Sequence, residues 1–242
     1  DMVVVDVGIN HDMTGVPGLL DRKIAWGTKN IAEGPAMTRE QAIRSIEIGI
    51  EIAEENVRKG YKVFSIGEMG ISNTTSSACI LGTFNHWNAI EVTGRGTNIS
   101  DERLVHKVEV VQKAMDVNHP DPKDGLDVLA KVGGFEFGCL TGVILGAAAN
   151  HAMTIIDGFN TTASAFIAKA LAPQVTDYLM ASHLSLEQAH KKSLAALGLS
   201  EYIDLDFRLG ESIGAGIQKK MLDMAISVYR ECVTKEEAGV EA

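Results

Sequence analysis

Short apolar runs rich in β-branched residues alternate along this chain with longer stretches whose apolar residues recur every three or four positions. The runs are Met2 to Ile9, Lys62 to Ile66, His151 to Ile156, a weaker one from Tyr178 to Ser182, and Ile203 to Leu209, which is interrupted by Asp204 and Asp206. The clearest helical stretch carries Ile43, Ile46, Ile50, Ala53 and Val57 on one face. Thr38 and Gln41 form a capping-box pattern at its start, and Gly60 stops it. Ser185 with Gln188 predicts a second capped helix that ends at Gly198, and Met221 to Val233 predicts an amphipathic C-terminal helix, taken as residues 217–235 at its widest. The loop 118–125 is the clearest break, but it is too short to separate domains. Alternation of this kind predicts an α/β fold, a parallel sheet covered by helices, in a single domain over 1–242. Ligands of open parallel sheets bind beyond the carboxyl ends of the strands, so the residues that follow each run are the first candidates for chemistry.

Composition narrows the function. Apolar residues make up 45% of the 242 positions and charged residues 22%, enough to bury a sizeable core. The net charge of −10 argues against nucleic acid or an anionic membrane surface as the main partner, because both need basic patches. A small anionic substrate needs only a local site. No apolar run reaches the ~18 residues of a membrane span, and no signal peptide is visible. Three scattered cysteines without a CxxC pair read as reduced thiols in a cytoplasmic protein, with Cys79 and Cys139 as packing residues. Seven histidines show neither an HxH nor an HExxH pattern, so no metal and no cofactor are expected. The chain opens on Asp1 inside an apolar run, which reads as a truncated or processed start.

The most informative segment is Gly67 to Ser77, GEMGISNTTSS, placed between a strand run and an apolar helix start. Glycines let the backbone approach a ligand, a helix N-terminus offers free N–H groups, and the hydroxyls of Thr74, Thr75, Ser76 and Ser77 add donors for a phosphate. An ordinary strand-to-helix turn capped by hydroxyls fits the same residues. A Walker A loop is excluded, because no Lys follows the glycines. Glu68 in this turn is either a surface charge, a holder of ribose hydroxyls or support for a catalytic group. A second such turn, Gly210 to Gly216, places Glu211 after the last run, so two carboxylates can converge on one cleft. Thr93 to Thr97 (TGRGT), Lys107, Gly133–Gly134, Asp157–Gly158 and Ser164 are further candidates, each of which also fits a plain turn. A nucleotide-binding dehydrogenase is disfavoured, since no GxGxxG follows the first run.

Taken in order, these blocks resemble the nicotinate-nucleotide:dimethylbenzimidazole phosphoribosyltransferase family over essentially the whole chain. The matching blocks are Asp6 to Ile9, Arg22 to Ile24 with Gly27, Thr28 and Asn30, Gly34 to Thr38, Gly67 to Thr75, Gly94 to Thr97 with His106 and Lys107, Asp157–Gly158, Arg208 to Glu211 with Gly214 and Ala215, and the ending Lys235 to Gly239. The resemblance implies a Rossmann-like domain with a small helical lobe that takes the C-terminal helix, usually in a homodimer. It implies transfer of phosphoribose from nicotinate mononucleotide to 5,6-dimethylbenzimidazole, with inversion at the anomeric carbon, as a step of cobalamin nucleotide-loop assembly. The pyridinium leaving group departs neutral, so this chemistry needs neither a general acid nor a metal. The resemblance also implies that Glu211 is the general base and Glu68 a supporting acidic residue. By the same token the donor contacts are Gly70, Ser72, Asn73, Thr74, Thr75, Gly96, Lys107, Asp157, Gly158 and Ser185, while Arg208 and Leu209 line the aromatic pocket. Two departures stand out. The family's usual N-terminal segment, which completes the acceptor pocket, is not in this chain, and Ser72 stands where the signature often has Gly, which strains the turn if φ is positive. Some relatives use phenols or purines as acceptors, and a non-catalytic donor-binding or partner subunit is the alternative reading.

Overall fold

In the computed structural model of the protein, residues 1–240 are described; the last two positions of the domain expected over 1–242 lie outside them. The elements in chain order are β1 (Val4–Asp6), β2 (Leu19–Asp21), α1 (Arg39–Arg58), β3 (Val63–Ser65), α2 (Asn73–Asn85), α3 (Ala89–Val92), α4 (Asp101–Asn118), α5 (Gly125–Val132), α6 (Phe135–Ala149), β4 (Met153–Ile156), α7 (Phe159–Leu171), a 3-10 turn (Pro173–Tyr178), β5 (Leu179–Ala181), β6 (His183–Ser185), α8 (His190–Leu197), β7 (Ile203–Phe207) and α9 (Ile213–Glu231). The expected parallel strands flanked by helices are present. Strands pair in the order β3-β4-β5, with β6 beside β7 and β1 beside β2, every pair parallel. Ser182 joins the three-stranded group to the β6–β7 pair: its N–H donates to Ile156 O of the middle strand, while its carbonyl accepts from Tyr202 and Ile203 at the start of β7. Among the described residues no helix is long and apolar enough to cross a membrane.

Four expectations need correction. The run Met2 to Ile9 forms only three residues of strand, paired with β2 apart from the other sheets. It stops because the Asp6 side chain accepts from the N–H groups of Gly8 and Ile9, which turns the chain, and Lys23 closes on the same carboxylate at 2.7 Å. Strands β2 and β6 were not anticipated, since three residues are too few to show a period. The helix expected from Ser185 to Gly198 ends where expected but starts later and without its capping box: Ser185 ends β6, and α8 begins at His190 with no side-chain cap. Glu187 accepts from Gly96 N and Gln188 donates to Ile90 O, so the segment is held by another loop instead of winding up. The C-terminal helix begins at Ile213 and ends at Glu231, earlier at both ends than 217–235.

Helix α1 forms where the pattern puts it, with its capping box intact and Gly60 at φ 98° past its end. Its buried residues are Ala42, Ser45, Ile46, Ile48, Gly49 and Ala53, whereas Ile43 is 39% exposed. The partner, α6, meets α1 with Gly138, Gly142 and Gly146, and the two backbones come into direct contact. Small residues on both helices allow this approach, and dispersion between closely packed backbones supplies the attraction. Helix α7 packs beside α6, and its Phe159, Ala163, Phe166 and Ile167 belong to the same buried core as Ile144 and Ile156.

Candidate active site

The strand ends gather the predicted site residues on one rim. The turn after β3 and the turn after β7 touch: Gly67 lies so close to the Glu211–Ser212 backbone that a Cβ at Gly67 would collide with the Ser212 nitrogen. The two acidic turns are therefore in direct backbone contact. Glu68 is fixed by three donors. Its Oε2 accepts from Gly70 N at 2.8 Å and from the Asn73 side-chain amide, and its Oε1 accepts from Asn160 Nδ2 at 2.7 Å. Asn160 also donates to Asn73 Oδ1 at 2.9 Å and accepts from Ser77 Oγ at 2.6 Å. Beneath this network stands Glu136, in the first turn of α6, 3.4 Å from Asn73 Nδ2. Burial pushes its carboxyl up, and the charge of Glu68 acts in the same direction. A buried acid that shares its donor with a second carboxylate holds its proton more readily.

The far side of the turn meets Lys107 from α4. Its Nζ donates to Thr74 Oγ1 at 2.8 Å and to Gly94 O at 3.0 Å. Burial pulls this ammonium below the usual lysine range, and the Glu187 carboxylate opposes part of that shift. Gly96 N donates to Glu187 Oε1 at 2.7 Å, while Glu187 Oε2 is buried without a partner among the described residues. Thr75 N bonds to Ser72 O in the tight turn. Ser72 itself adopts φ 64°, the strained case for serine at that position.

Asp157 and Gly158 follow β4. Both carboxylate oxygens of Asp157 face the first turn of α9 and accept from Ser212 N and Ala215 N. Gly158 lies beside His183 and Ser185. Ser185 N–H donates to His190 Nδ1 at 2.9 Å, and His190 Nε2 stands 3.1 Å from Thr162 Oγ1, which donates to Gly158 O. That chain of bonds assigns the Nε2–H tautomer, and burial pulls the His190 imidazole down to about 3. Glu211 sits exposed at φ 60°, and among the described residues its side chain has no hydrogen bond or ion pair. Arg208 and Leu209 are also exposed on this rim. No group of three or more His, Cys, Asp and Glu side chains among the described residues stands ready to hold a metal ion.

Glu136, Asn160, His183 and Glu187 were missed by sequence reasoning. Each lies one to four residues from a motif that was singled out, but nothing in its local pattern distinguishes it from an ordinary helix or loop residue. Their contacts run across 63 to 92 residues of chain in the Glu136–Asn73, Glu187–Gly96 and Asn160–Glu68 bonds, which no local spacing encodes.

Loops gathered at the ends of parallel strands are where ligands of such folds bind, and the family model described as a phosphoribosyltransferase matches residues 1–240. The nicotinate-nucleotide–dimethylbenzimidazole phosphoribosyltransferase of Geobacter sulfurreducens is 47% identical over 237 residues, covering 98% of this chain and 67% of that protein. Its counterpart in Clostridioides difficile is 48% identical over the same share of this chain and 68% of its own. A crystal structure of the enzyme from Thermus thermophilus superposes with a TM-score of 0.91 at 37% identity, over 99% of this chain and 70% of that one. The chain belongs to the nicotinate-nucleotide–dimethylbenzimidazole phosphoribosyltransferase family.

Proposed function

We propose that this protein transfers phosphoribose from nicotinate mononucleotide to 5,6-dimethylbenzimidazole or a related aromatic base, giving nicotinate and α-ribazole 5′-phosphate. The observation that supports the reading is the contact of the two acidic turns at Gly67 and Ser212, the turns that carry Glu68 and Glu211. In the reaction a ring nitrogen of the acceptor forms a bond to the ribose C1′ as the bond from C1′ to the pyridinium nitrogen breaks. The electron pair of that bond leaves with nicotinate, and the proton on the second acceptor nitrogen passes to Glu211. A carboxylate free of partners and exposed to the cleft suits that role. Glu68, held by three donors, is placed to orient the donor and to stabilise positive charge that develops on the ribose.

Lys107, with Thr74, Thr75 and the backbone of the turn from Gly70 to Asn73 at the start of α2, suits a phosphate. Gly96, Gly158 and Ser185 complete the donor side, while Arg208 and Leu209 face the acceptor. The chain works as one catalytic domain of Rossmann type, with α9 toward the acceptor lobe. A cytoplasmic homodimer fits the family, and the exposed Met224, Val228 and Tyr229 on α9 support a further surface to cover.

The test is turnover with nicotinate mononucleotide and 5,6-dimethylbenzimidazole, followed by chromatography and mass. A Glu211→Gln variant should bind the donor while kcat drops about 10²–10⁴-fold. Parental kcat in the variant removes Glu211 from the base role, and donor binding without turnover in the parent protein points to a non-catalytic binding subunit.

A further inference from the structure

Helix α9 starts without a cap of its own. Ser212 holds the N-cap position at φ 68°, and its hydroxyl makes no capping bond. The first turn of any helix leaves N–H groups without partners inside the helix. Asp157, just after β4 and 55 residues before Ser212, supplies acceptors for them here: Oδ2 accepts from Ser212 N at 3.2 Å and Oδ1 from Ala215 N at 2.9 Å. The Asp157 residue is 2% exposed.

His183 holds the same turn from the other side. It is 1% exposed, its Nδ1 is 3.7 Å from Asp157 Oδ1, and its ring packs 4.8 Å from that of Phe207 in β7. Gly214 rests directly on the imidazole, so a Cβ at Gly214 would collide with Nδ1. Burial raises the Asp157 carboxyl, against the pull of the α9 amides and of His183, and burial lowers the His183 imidazole.

Glu211 precedes this turn at φ 60°, a region a non-glycine residue keeps only when its surroundings enforce it. Its side chain has no partner among the described residues, so the backbone is what sets the region its carboxylate can reach. The contacts that hold this backbone are Gly67 beneath it, Asp157 at the amides and His183 under Gly214. We propose that Asp157 and His183 are positioning residues that set where the Glu211 carboxylate stands, and that Asp157 acts on the reaction through the start of α9 without touching substrate. This inference rests on Glu211 being the base.

The experiment is steady-state kinetics on the full chain for the parent, Asp157→Asn, Glu211→Gln and the double variant. Asp157→Asn keeps the shape and one acceptor oxygen but loses the charge and puts an amide against Ser212 N. Its kcat should fall about 10–100-fold, as a displacement of about 1 Å at a reacting group does, with KM for nicotinate mononucleotide nearly unchanged. In the Glu211→Gln background the same substitution should cost less than about threefold, because two changes that act through one group do not add. Gly214→Ala pushes α9 off His183 while every charged group stays. It should give the same split between kcat and KM, and Gly214→Ala with His183→Ala should recover part of kcat.

Parental kcat in both Asp157→Asn and Gly214→Ala overturns the proposal. So does a full multiplicative loss in the double variant, or a rise in KM with kcat unchanged, which would assign Asp157 to the donor itself. If Asp157→Asn does not fold, Gly214→Ala and its His183→Ala rescue decide. Parental kcat in Glu211→Gln defeats the reading of the base, and is seen separately from these outcomes.

Discussion

Ser72 and Ser212 share one backbone conformation, φ 64° and ψ 12° at the start of α2 and φ 68° and ψ 13° at the start of α9. Each closes a turn that follows a parallel strand and carries an acidic residue, Glu68 in one and Glu211 in the other. Neither hydroxyl caps its helix. A left-handed serine costs on the order of 1 kcal/mol, so the fold twice accepts strain where the proposed chemistry lies.

Ser72→Gly and Ser212→Gly should each relieve that strain. The expected gain is about 0.5–1 kcal/mol, offset in part by the freer unfolded chain of glycine. Thermal unfolding should show a small rise in Tm for each variant. A lower Tm would mean that the serine hydroxyl contributes more than the strain removes.

Lys107→Met should weaken the donor more than the chemistry. The ammonium bridges Thr74 and Gly94 at the proposed phosphate position. A charge-assisted bond to a phosphate contributes about 1.5–3 kcal/mol, or about 10–150-fold. KM for nicotinate mononucleotide should rise by that factor, with a smaller loss in kcat. A kcat effect alone would move Lys107 from phosphate binding to the reacting centre.

Acid should destabilise the protein through His190. Burial lowers its pKa to about 3 in the folded state, against about 6.5 in an unfolded chain. Between these values the unfolded state binds the extra proton, so stability is complete above about pH 6.5 and is lost as pH falls toward 3, by up to about 1.4 kcal/mol per unit. His183 shifts in the same direction, whereas Glu136 and Asp157, raised by burial, act oppositely. Urea unfolding at pH 5 and pH 7 should therefore show a smaller pH dependence for His190→Gln than for the parent. Equal pH dependence would mean that His190 is accessible to protons while the protein stays folded.

Gly142→Ala tests the packing of α1 on α6. A Cβ there would collide with the carbonyl oxygen of Ile46 and with Gly49. Forcing the helices apart should cost about 1–3 kcal/mol of stability, read as a lower urea midpoint, while activity per folded molecule holds. Unchanged stability would show that the two helices separate at no cost.

Much of this protein was legible in its sequence because much of it is local. The Thr38–Gln41 capping box, the Gly60 and Gly198 stops, and the strands at 63–65, 153–156 and 203–207 each follow from residues within a few positions of one another. The order of motif blocks from Asp6 to Gly239 carried the family. The tertiary structure alone decided what closes the site. Asp157 faces the amides of α9, Asn160 bonds Glu68, and Glu187 holds Gly96 where a second capping box was expected at Ser185. Which residues of α1 meet α6 was also decided in three dimensions: Ser45, Gly49 and Ala53 take the close backbone contact because α6 offers glycines there, while Ile43 stays partly exposed. The physical reason is range. Periodicity and capping act over one or two helical turns, whereas a hydrogen bond between residues 55 or 92 positions apart exists only once parallel strands have brought their ends together.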